Sequence, residues 1–418
     1  MPQQLTLPQQ NIRQLQQTFG PAAAWLTISA VFHQAPSVDR LREALRLTYL
    51  QTDAMRLRVT AQKGEAVQSF MPAGEIDIPA VDFRSLRAMR RWTQNLAETP
   101  LPSTPGTPLW RAYILRAQGQ IGLALQCHHL IADAWGLYLL AKRVHDNLLK
   151  RDVQAGSYAD FITAQQAYLN SPKRARDFAY FEGEFALCPQ PVYLAEKLSP
   201  SLAAKRWSTA LPRELSRQVD SAAERLGTTS YALFLCALGK AAADLRGADR
   251  LFIGTTVLNR IGRRELDTVG MFVNTVPVLI DCKPLSPESD SVSAAARIVS
   301  AQAGRLIGIF RHQRCGYTQL LADLRAKYEL SGGLYDVMLN FQNIRFDTKE
   351  IGADFRWHFS GQQGETLQLH VHDWAGEGVY HLDYDYRTAL LRAGDVRRLH
   401  RAAAENMRAF CLASTLPK

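Results

Sequence analysis

Two adjacent histidines and an aspartate, His128, His129 and Asp133, are the residues whose types and spacing could carry out proton transfer. Histidine is the side chain whose unperturbed pKa lies nearest neutrality, so it can accept or donate a proton under physiological conditions. The three residues lie between an apolar segment, 121–127, and a segment from Trp135 with apolar residues at helical spacing. The pattern predicts a site for proton handling at a strand-to-helix junction.

The two histidines cannot have the same role if the strand continues to the junction. Adjacent residues on a strand point to opposite faces, so one imidazole can perform chemistry while the other supports the loop. Asp133 follows on the turn, four residues after His129. A pair of core histidines that only closes a turn would also fit these residues, and the spacing alone leaves both interpretations open.

Three segments carry a resemblance to a known superfamily. The run HHLIADAW at 128–135 resembles the HHxxxDG signature of the condensation domains of nonribosomal peptide synthetases, with Ala134 in place of the usual glycine. Residues 251–260, LFIGTTVLNR, are similar to the family's IGTPVAGR segment, and residues 269–275, VGMFVNT, match its IGxFVNT segment. The segments follow one another in the family's order, and weaker similarities cover nearly the whole chain.

The resemblance implies an α+β fold with two chloramphenicol-acetyltransferase-like lobes in a V, and a tunnel between them. It assigns the catalytic site to His129, His128 and Asp133. His129 would face the tunnel and contact the nucleophile, whereas His128 would be structural. Asp133 would form an ion pair with Arg260, buried between the turn and the second lobe, and would organise the site without acting as its base.

The resemblance also implies a reaction. The chain would transfer an acyl group from a phosphopantetheine thioester on an acyl or peptidyl carrier protein. The acceptor would be a small amine or alcohol, or a second carrier-bound substrate. The product would be an amide or ester in nonribosomal peptide or hybrid polyketide biosynthesis. We expect a freestanding monomer that acts in trans, with no bound cofactor and no metal. A non-catalytic recruitment module and an epimerisation domain are the alternatives, and the intact histidines and aspartate favour the enzyme.

Other residues could in principle do chemistry. Cys127 stands beside the histidines and could be a nucleophile, but its apolar strand favours a packed thiol. His370 and His372 share one strand face and could bind a metal, but no third ligand has a clear spacing, which favours a surface or bridging strand. The sequence contains no glycine-rich phosphate loop, so ATP use is not indicated.

Length and composition indicate a protein of two or three lobes. The 418 residues are 47% hydrophobic and 21% charged, which is ordinary for a soluble globular protein. A proline-rich segment, 188–200, predicts a boundary between an N-terminal lobe, 1–187, and a C-terminal lobe, 188–418. No apolar run is long enough to span a membrane, no signal core opens the chain, and six scattered cysteines favour a reducing cytoplasm.

The chain is basic, with a formal net charge of +10. Its positive charge gathers locally, at Arg84, Arg87, Arg90 and Arg91 and again around Arg260. Nucleic acid is not favoured as a partner because no recognition motif accompanies the charge, and an acidic protein fits better.

Hydrophobic patterning predicts elements around the motif. We expect strands over 25–33 and 109–117, and a helix over 38–50 capped by Ser37. A helix over 85–96 and a second-half helix that begins after Thr228 or Thr229 are also expected. Residues 5–19 are polar and show no strong pattern.

Overall fold

A computed structural model describes residues 2–101, 105–283, 291–342 and 352–415 of the chain. Its helices are α1 (Leu7–Phe19), α2 (Val38–Leu50), α3 (Leu86–Glu98), α4 (Ala134–Leu148), α5 (Tyr158–Leu169), α6 (Pro172–Ala186), α7 (Arg213–Arg225), α8 (Ser230–Arg246), α9 (Arg263–Leu266), α10 (Ser291–Arg311), α11 (Tyr317–Tyr328) and α12 (Ala393–Ala413). None of these helices combines the length and the apolar character that crossing a membrane requires.

The strands fall into three sheets. They are β1 (Gln3–Gln4), β2 (Trp25–Phe32), β3 (Leu57–Gln62), β4 (Glu65–Phe70), β5 (Ala80–Phe83), β6 (Trp110–Ala117), β7 (Gln120–His128), β8 (Ala204–Ala210), β9 (Arg250–Val257), β10 (Asn274–Asp281), β11 (Val337–Gln342), β12 (Ala353–His358), β13 (Leu367–His372) and β14 (His381–Arg387). The sheet orders are β1-β4-β3, β12-β2-β7-β6-β5 and β10-β9-β11-β13-β14-β8. Helices and mixed sheets confirm the α+β class.

The chain divides into two compact units, and the first is built from three separate stretches. Unit 1 comprises Met1–Ser171, Leu258–Val273 and Ile344–Gly361, and unit 2 comprises the remainder. The division falls before α6 and not at 187/188, because α6 buries Phe181 and Phe185 in the core of unit 2. Two later stretches of the chain also belong to unit 1, so a single boundary in the sequence does not describe the two units.

Strand β7 is central in the five-stranded sheet of unit 1. It pairs antiparallel with β2 on one side and with β6 on the other. Its residues from Gly122 to His128 are all buried, and both faces are covered, which explains why this part of the strand is almost entirely apolar before His128, with Gln126 as the exception. A central strand is held along its whole length by two neighbours, so the residues at its end have a fixed position.

Capping residues set the boundaries of several helices as the sequence predicts. Ser37 accepts a hydrogen bond from the amide of Arg40, Ser85 from that of Ala88, and Thr229 from that of Ala232. The polar N-terminal segment differs from expectation because it forms α1. There Thr6 and Gln9 make a reciprocal capping box, and Ile12 packs into the core.

Candidate active site

The histidine pair sits where β7 ends and the chain turns toward α4. The amide of His128 donates to the carbonyl of Leu109 at 2.7 Å, and the amide of His129 donates to that of Ala24 at 2.7 Å. Asp133 is the N-cap of α4, and its Oδ1 accepts from the amide of Gly136 at 2.7 Å. Strand pairing on one side and a helix cap on the other therefore fix both ends of the turn.

His128 is a structural residue of this turn. Its side chain is fully buried, and its Nδ1 accepts a hydrogen bond from the amide of Leu130 at 3.1 Å. The proton must therefore lie on Nε2, which donates to Oε1 of Gln16 at 3.2 Å. Burial, together with the neighbouring His129, lowers the pKa of His128 to about 3. The ring is neutral, and both of its nitrogens are occupied.

His129 has the opposite character. Its side chain is partly exposed, and its Nδ1 makes no hydrogen bond. Nε2 also makes no hydrogen bond within the described residues, so no protein group there occupies it. Burial lowers the pKa of His129, while the charge of Asp133 and the backbone of His129 and Ala132 act in the opposite direction. The imidazole is held neutral and free to accept a proton at Nε2.

Asp133 and Arg260 form a buried bidentate ion pair. Nη1 of Arg260 lies 2.8 Å from Oδ2, and Nη2 lies 3.0 Å from Oδ1. The side chains of Arg260 and Asp133 are 0% and 1% exposed. The guanidinium also stacks on the ring of Phe272, 4.1 Å from its centroid. The structure thus brings together the two charged residues that the resemblance pairs, although 127 positions separate them.

The carboxylate of Asp133 has no acceptor capacity left for a substrate proton. Oδ2 also accepts from the amides of Phe272 and Val273, each at 3.0 Å. Burial acts to raise the pKa of this carboxyl, but the charge and hydrogen bonds of Arg260 and the backbone amides outweigh burial and lower it. The carboxyl of Asp133 is therefore held ionised by partners within the protein.

The ion pair lies within one of the two units. The ion pair was expected between the turn and the second lobe, but Asp133 and Arg260 both belong to unit 1. The stretch Leu258–Val273 packs with the first unit although it follows a strand of the second. The pair therefore holds two distant pieces of one unit together.

The GTTVLNR segment positions Arg260 through its asparagine. Asn259 adopts a left-handed conformation with φ of 52°, which asparagine tolerates better than most residues. Its Nδ2 donates to the carbonyl of Phe272 at 2.9 Å. The turn and this hydrogen bond together direct the following arginine back toward Asp133.

The glycine of VGMFVNT is required by close packing. A Cβ atom at Gly270 would lie 2.1 Å from the ring of Tyr158. The carbonyl of Gly270 accepts from the amide of Asp133 at 3.1 Å, and that of Met271 accepts from the hydroxyl of Tyr158 at 3.0 Å. Only glycine at position 270 leaves room for the ring of Tyr158 to lie against the backbone of this segment. Ala134, in contrast, is the first residue of α4 and has no positive φ, so alanine replaces the family's glycine without strain.

Several residues that support the site were not singled out from the sequence. The carboxylate of Asp53 accepts from the hydroxyl of Ser157 and from the amides at the start of α5. Gln9 donates to Gln68 at 2.8 Å and to the carbonyl of Leu130, inside the histidine turn, at 3.0 Å. The capping pair Thr6 and Gln9 was the signal that could have identified α1, the helix that carries Gln9 and Gln16.

The other candidate residues have structural partners. Cys127 is fully buried, and burial raises the pKa of its thiol, so the reactive thiolate is disfavoured. In unit 2, Nε2 of His370 lies 3.1 Å from Asp385, and Nε2 of His372 lies 3.5 Å from Asp383. Among the described residues, no group of three or more histidine, cysteine or acidic side chains could hold a metal ion.

Comparisons with known proteins identify the family of the chain. The family model for the condensation domain matches residues 2–414. Surfactin synthase subunit 1 of Bacillus subtilis (strain 168) is 25% identical over 374 residues, 86% of this chain and 10% of that protein. The chain therefore spans about a tenth of the length of that relative.

Solved structures show the same fold. The first condensation domain of the calcium-dependent antibiotic synthetase, in complex with a substrate analogue, superposes with a TM-score of 0.80. It is 21% identical, and the match covers 99% of this chain and 97% of that one. A mutant starter condensation domain of rhizomide synthetase RzmA, in complex with C8-CoA, gives a TM-score of 0.82 at 21% identity, with coverage of 100% and 98%.

The chain belongs to the condensation-domain family, as its motifs predict. Condensation domains are acyltransferases of nonribosomal peptide and hybrid polyketide synthetases, in antibiotic and natural-product biosynthesis.

Proposed function

We propose that this chain transfers an acyl group from a phosphopantetheine thioester on a carrier protein to an amine or hydroxyl acceptor. The observation that carries the proposal is the contrast between the two histidines. His128 has both nitrogens bonded within the protein, whereas the partly exposed His129 makes no hydrogen bond at Nε2 within the described residues. A rigid turn therefore presents one neutral imidazole, the group needed by a reaction that removes a proton from a nucleophile.

The nitrogen or oxygen of the acceptor attacks the thioester carbonyl carbon, the new C–N or C–O bond forms, and the C–S bond breaks. The acceptor proton passes to Nε2 of His129 and from there to the departing thiolate sulfur. Amines of low pKa need mainly positioning, whereas a hydroxyl needs a base, a contribution of about 10²–10⁴-fold.

The environment of Asp133 supports a positioning role for that residue. Its oxygens are shared among Arg260, Gly136, Phe272 and Val273, so it neither contacts the proton in transit nor orients the ring by direct hydrogen bond. We infer that it fixes the turn so that His129 keeps its direction. Intact His129 and Asp133, with all their supporting contacts, favour an enzyme over a non-catalytic recruitment module of the same fold.

Transfer assays with two donors test the proposal. One donor is an acyl group on a phosphopantetheinylated carrier protein, and the other is the same acyl group on a short pantetheine thioester. Intact-mass measurement of acyl loss, across a panel of amines and alcohols, gives the rate and separates amide from ester products. We expect the loaded carrier to be the better donor at equal concentration.

Two outcomes would count against the proposal. If no acceptor in the panel causes acyl loss from the carrier, acyl transfer is excluded as its function on these substrates. If the short thioester is the better donor, the carrier-dependent part is wrong. A reaction without the protein serves as the blank, because acyl loss that persists in it is ordinary hydrolysis or uncatalysed transfer.

A further inference from the structure

Helix α3 carries a set of exposed arginines that the proposed chemistry does not use. Arg87 and Arg91 lie one turn apart, Arg90 lies beside them, and Arg84 precedes the N-cap Ser85. All four side chains are exposed, and none makes a hydrogen bond or an ion pair within the described residues. We name these four residues the α3 arginine face.

This arrangement is unfavourable for the helix itself. The N-terminus of a helix carries partial positive charge, so arginines near it are repelled, whereas acidic residues would be stabilising. The first turn of α3 contains no acidic residue. Arg87 also stands three and four residues before Arg90 and Arg91, the spacings at which like charges repel on a helix surface. The folded helix therefore keeps unfavourable repulsion among these arginines.

Helix α2 is also 13 residues long, and its arginines have partners within the protein. Asp39 lies in its first turn and pairs with Arg42 at 2.8 Å, and Glu43 pairs with Arg46 at 2.7 Å. The third arginine of α2, Arg40, donates to the carbonyl of Leu148 at 2.9 Å, so all three have partners within the protein. The unpaired set on α3 is thus a local departure, and such departures concentrate at functional sites.

The C-terminal end of α3 is hydrogen-bonded to β7, the strand that ends at the histidine pair. Nε2 of Gln126 donates to the carbonyl of Leu96 at 2.7 Å, and Gln126 precedes His128 by two residues on β7. With a rise of 1.5 Å per residue, Arg91 and Arg87 lie roughly 8 and 14 Å from Leu96 along the helix. A macromolecule bound to the arginine face would lie within reach of the histidine turn.

We propose that the α3 arginine face is the docking surface for an acidic face of the carrier protein, an inference that rests on the proposed function. Four uncompensated positive charges attract an acidic surface and raise the rate of encounter. Nucleic acid fits less well because Trp92 packs against Phe83 and Tyr113 and is not free to stack on bases. A membrane fits less well because the apolar side chains of α3, including Met89 and Leu96, are buried.

A pair of double variants of the full chain tests the docking surface. Arg87→Gln/Arg91→Gln removes two unpaired charges, and Arg42→Gln/Arg46→Gln removes two paired ones from α2. Binding of a fluorescently labelled, phosphopantetheinylated acyl carrier protein is measured by anisotropy at low and physiological salt. Binding of a DNA duplex and of phosphatidylserine vesicles is measured in parallel, and thermal unfolding is followed for each variant.

We expect the α3 variant to bind the carrier about tenfold more weakly at low salt, with a smaller difference when salt shortens the Debye length. We also expect it to unfold at a higher temperature than wild type, because like-charge repulsion is relieved. The α2 variant should bind the carrier as wild type does and should not be stabilised. Weaker binding joined to greater stability is a result that mere damage to the fold cannot produce.

Carrier affinity that is equal in wild type and the α3 variant would overturn the docking inference. So would a wild-type chain that binds DNA or vesicles through these arginines but does not bind the carrier. Failure of the proposed function is distinguishable from both. In that case the carrier binds through α3, but neither the loaded carrier nor the short thioester supports transfer.

Discussion

The carboxylate of Asp133 accepts a hydrogen bond from the backbone amide of Phe272 at 3.0 Å, across 139 positions of sequence. The same carboxylate binds Arg260, whose guanidinium lies on the Phe272 ring. The turn that holds the histidines and the stretch Leu258–Val273 are therefore joined by one buried anion. Its contacts lead to the first prediction.

We expect Asp133→Asn to lower the free energy of unfolding by about 3–5 kcal/mol, because it leaves the buried charge of Arg260 without a partner. Chemical denaturation with a fluorescence or circular dichroism signal measures the change. Asp39→Asn, in the exposed pair with Arg42, is the matched control and should cost under about 1 kcal/mol. An Asp133→Asn variant as stable as wild type would contradict the assigned role.

Substitutions of the two histidines should have different effects, one on activity and the other on stability. We expect His129→Ala to remove most acyl transfer, by about 10²–10⁴-fold with a hydroxyl acceptor, while its unfolding free energy stays close to that of wild type. His128→Ala should instead lower stability by about 1–3 kcal/mol, because the buried amide of Leu130 loses its acceptor. Single-turnover transfer and denaturation are the two measurements. Near wild-type turnover in His129→Ala would show that the imidazole does not participate.

Acid should destabilise the protein through its buried histidines. Burial holds the pKa of His128 at about 3 and that of His358 at about 4, whereas both would be near 6.5 in the unfolded chain. Between these values the unfolded chain binds more protons, so stability is fully present above about pH 6.5 and is lost as pH falls toward 4. Each group contributes a slope of about 1.4 kcal/mol per pH unit in that window.

Unfolding free energies measured from pH 7 to pH 4.5 test this dependence. The imidazole of His358 contacts Ser29 at 2.8 Å and Gln94 at 3.3 Å, so His358→Gln keeps polar partners without a titrating ring. That variant should show a flatter profile than wild type. A profile of unchanged slope would mean that His358 is not held neutral by burial.

Gly270 lies so close to the ring of Tyr158 that a larger residue should not fit there. We expect Gly270→Ala to destabilise the protein by about 1–3 kcal/mol, because the new Cβ would overlap the ring of Tyr158. Gly183→Ala on α6 is the control, since nothing lies within 4 Å of its Cβ position, and alanine there should stabilise by about 0.4–1 kcal/mol. If both substitutions had the same sign, close packing would not be the reason for glycine at position 270.

Local signals in the sequence predict much of unit 1. Periodicity and capping chemistry identify features that depend on residues close together in the chain. These are the largely apolar strand β7, the cap Ser37 and the turn after His129. Helix α1 was missed because its face is made by glutamines, among them Gln9 and Gln16, that bond to distant residues. Part of its buried face is therefore polar, beside the apolar Leu7 and Ile12.

The division into units could not be predicted for a different reason. Strand β12 belongs to unit 1 because it pairs antiparallel with β2 from Phe32 to Thr27, a contact across more than three hundred positions. Nothing in the composition of β12 indicates which sheet it joins. The proline-rich segment after α6 is a connection within unit 2, and proline content alone does not distinguish that from a boundary.

The three-piece construction of unit 1 has a consequence for its synthesis. Domains generally fold in order from the N-terminus as they leave the ribosome. Here Asp133 emerges long before Arg260, and the edge of β2 emerges long before β12. During that interval the nascent chain carries an unneutralised aspartate and an uncovered strand edge, which other chains can pair with. Completion of the first unit therefore waits on translation of most of the second.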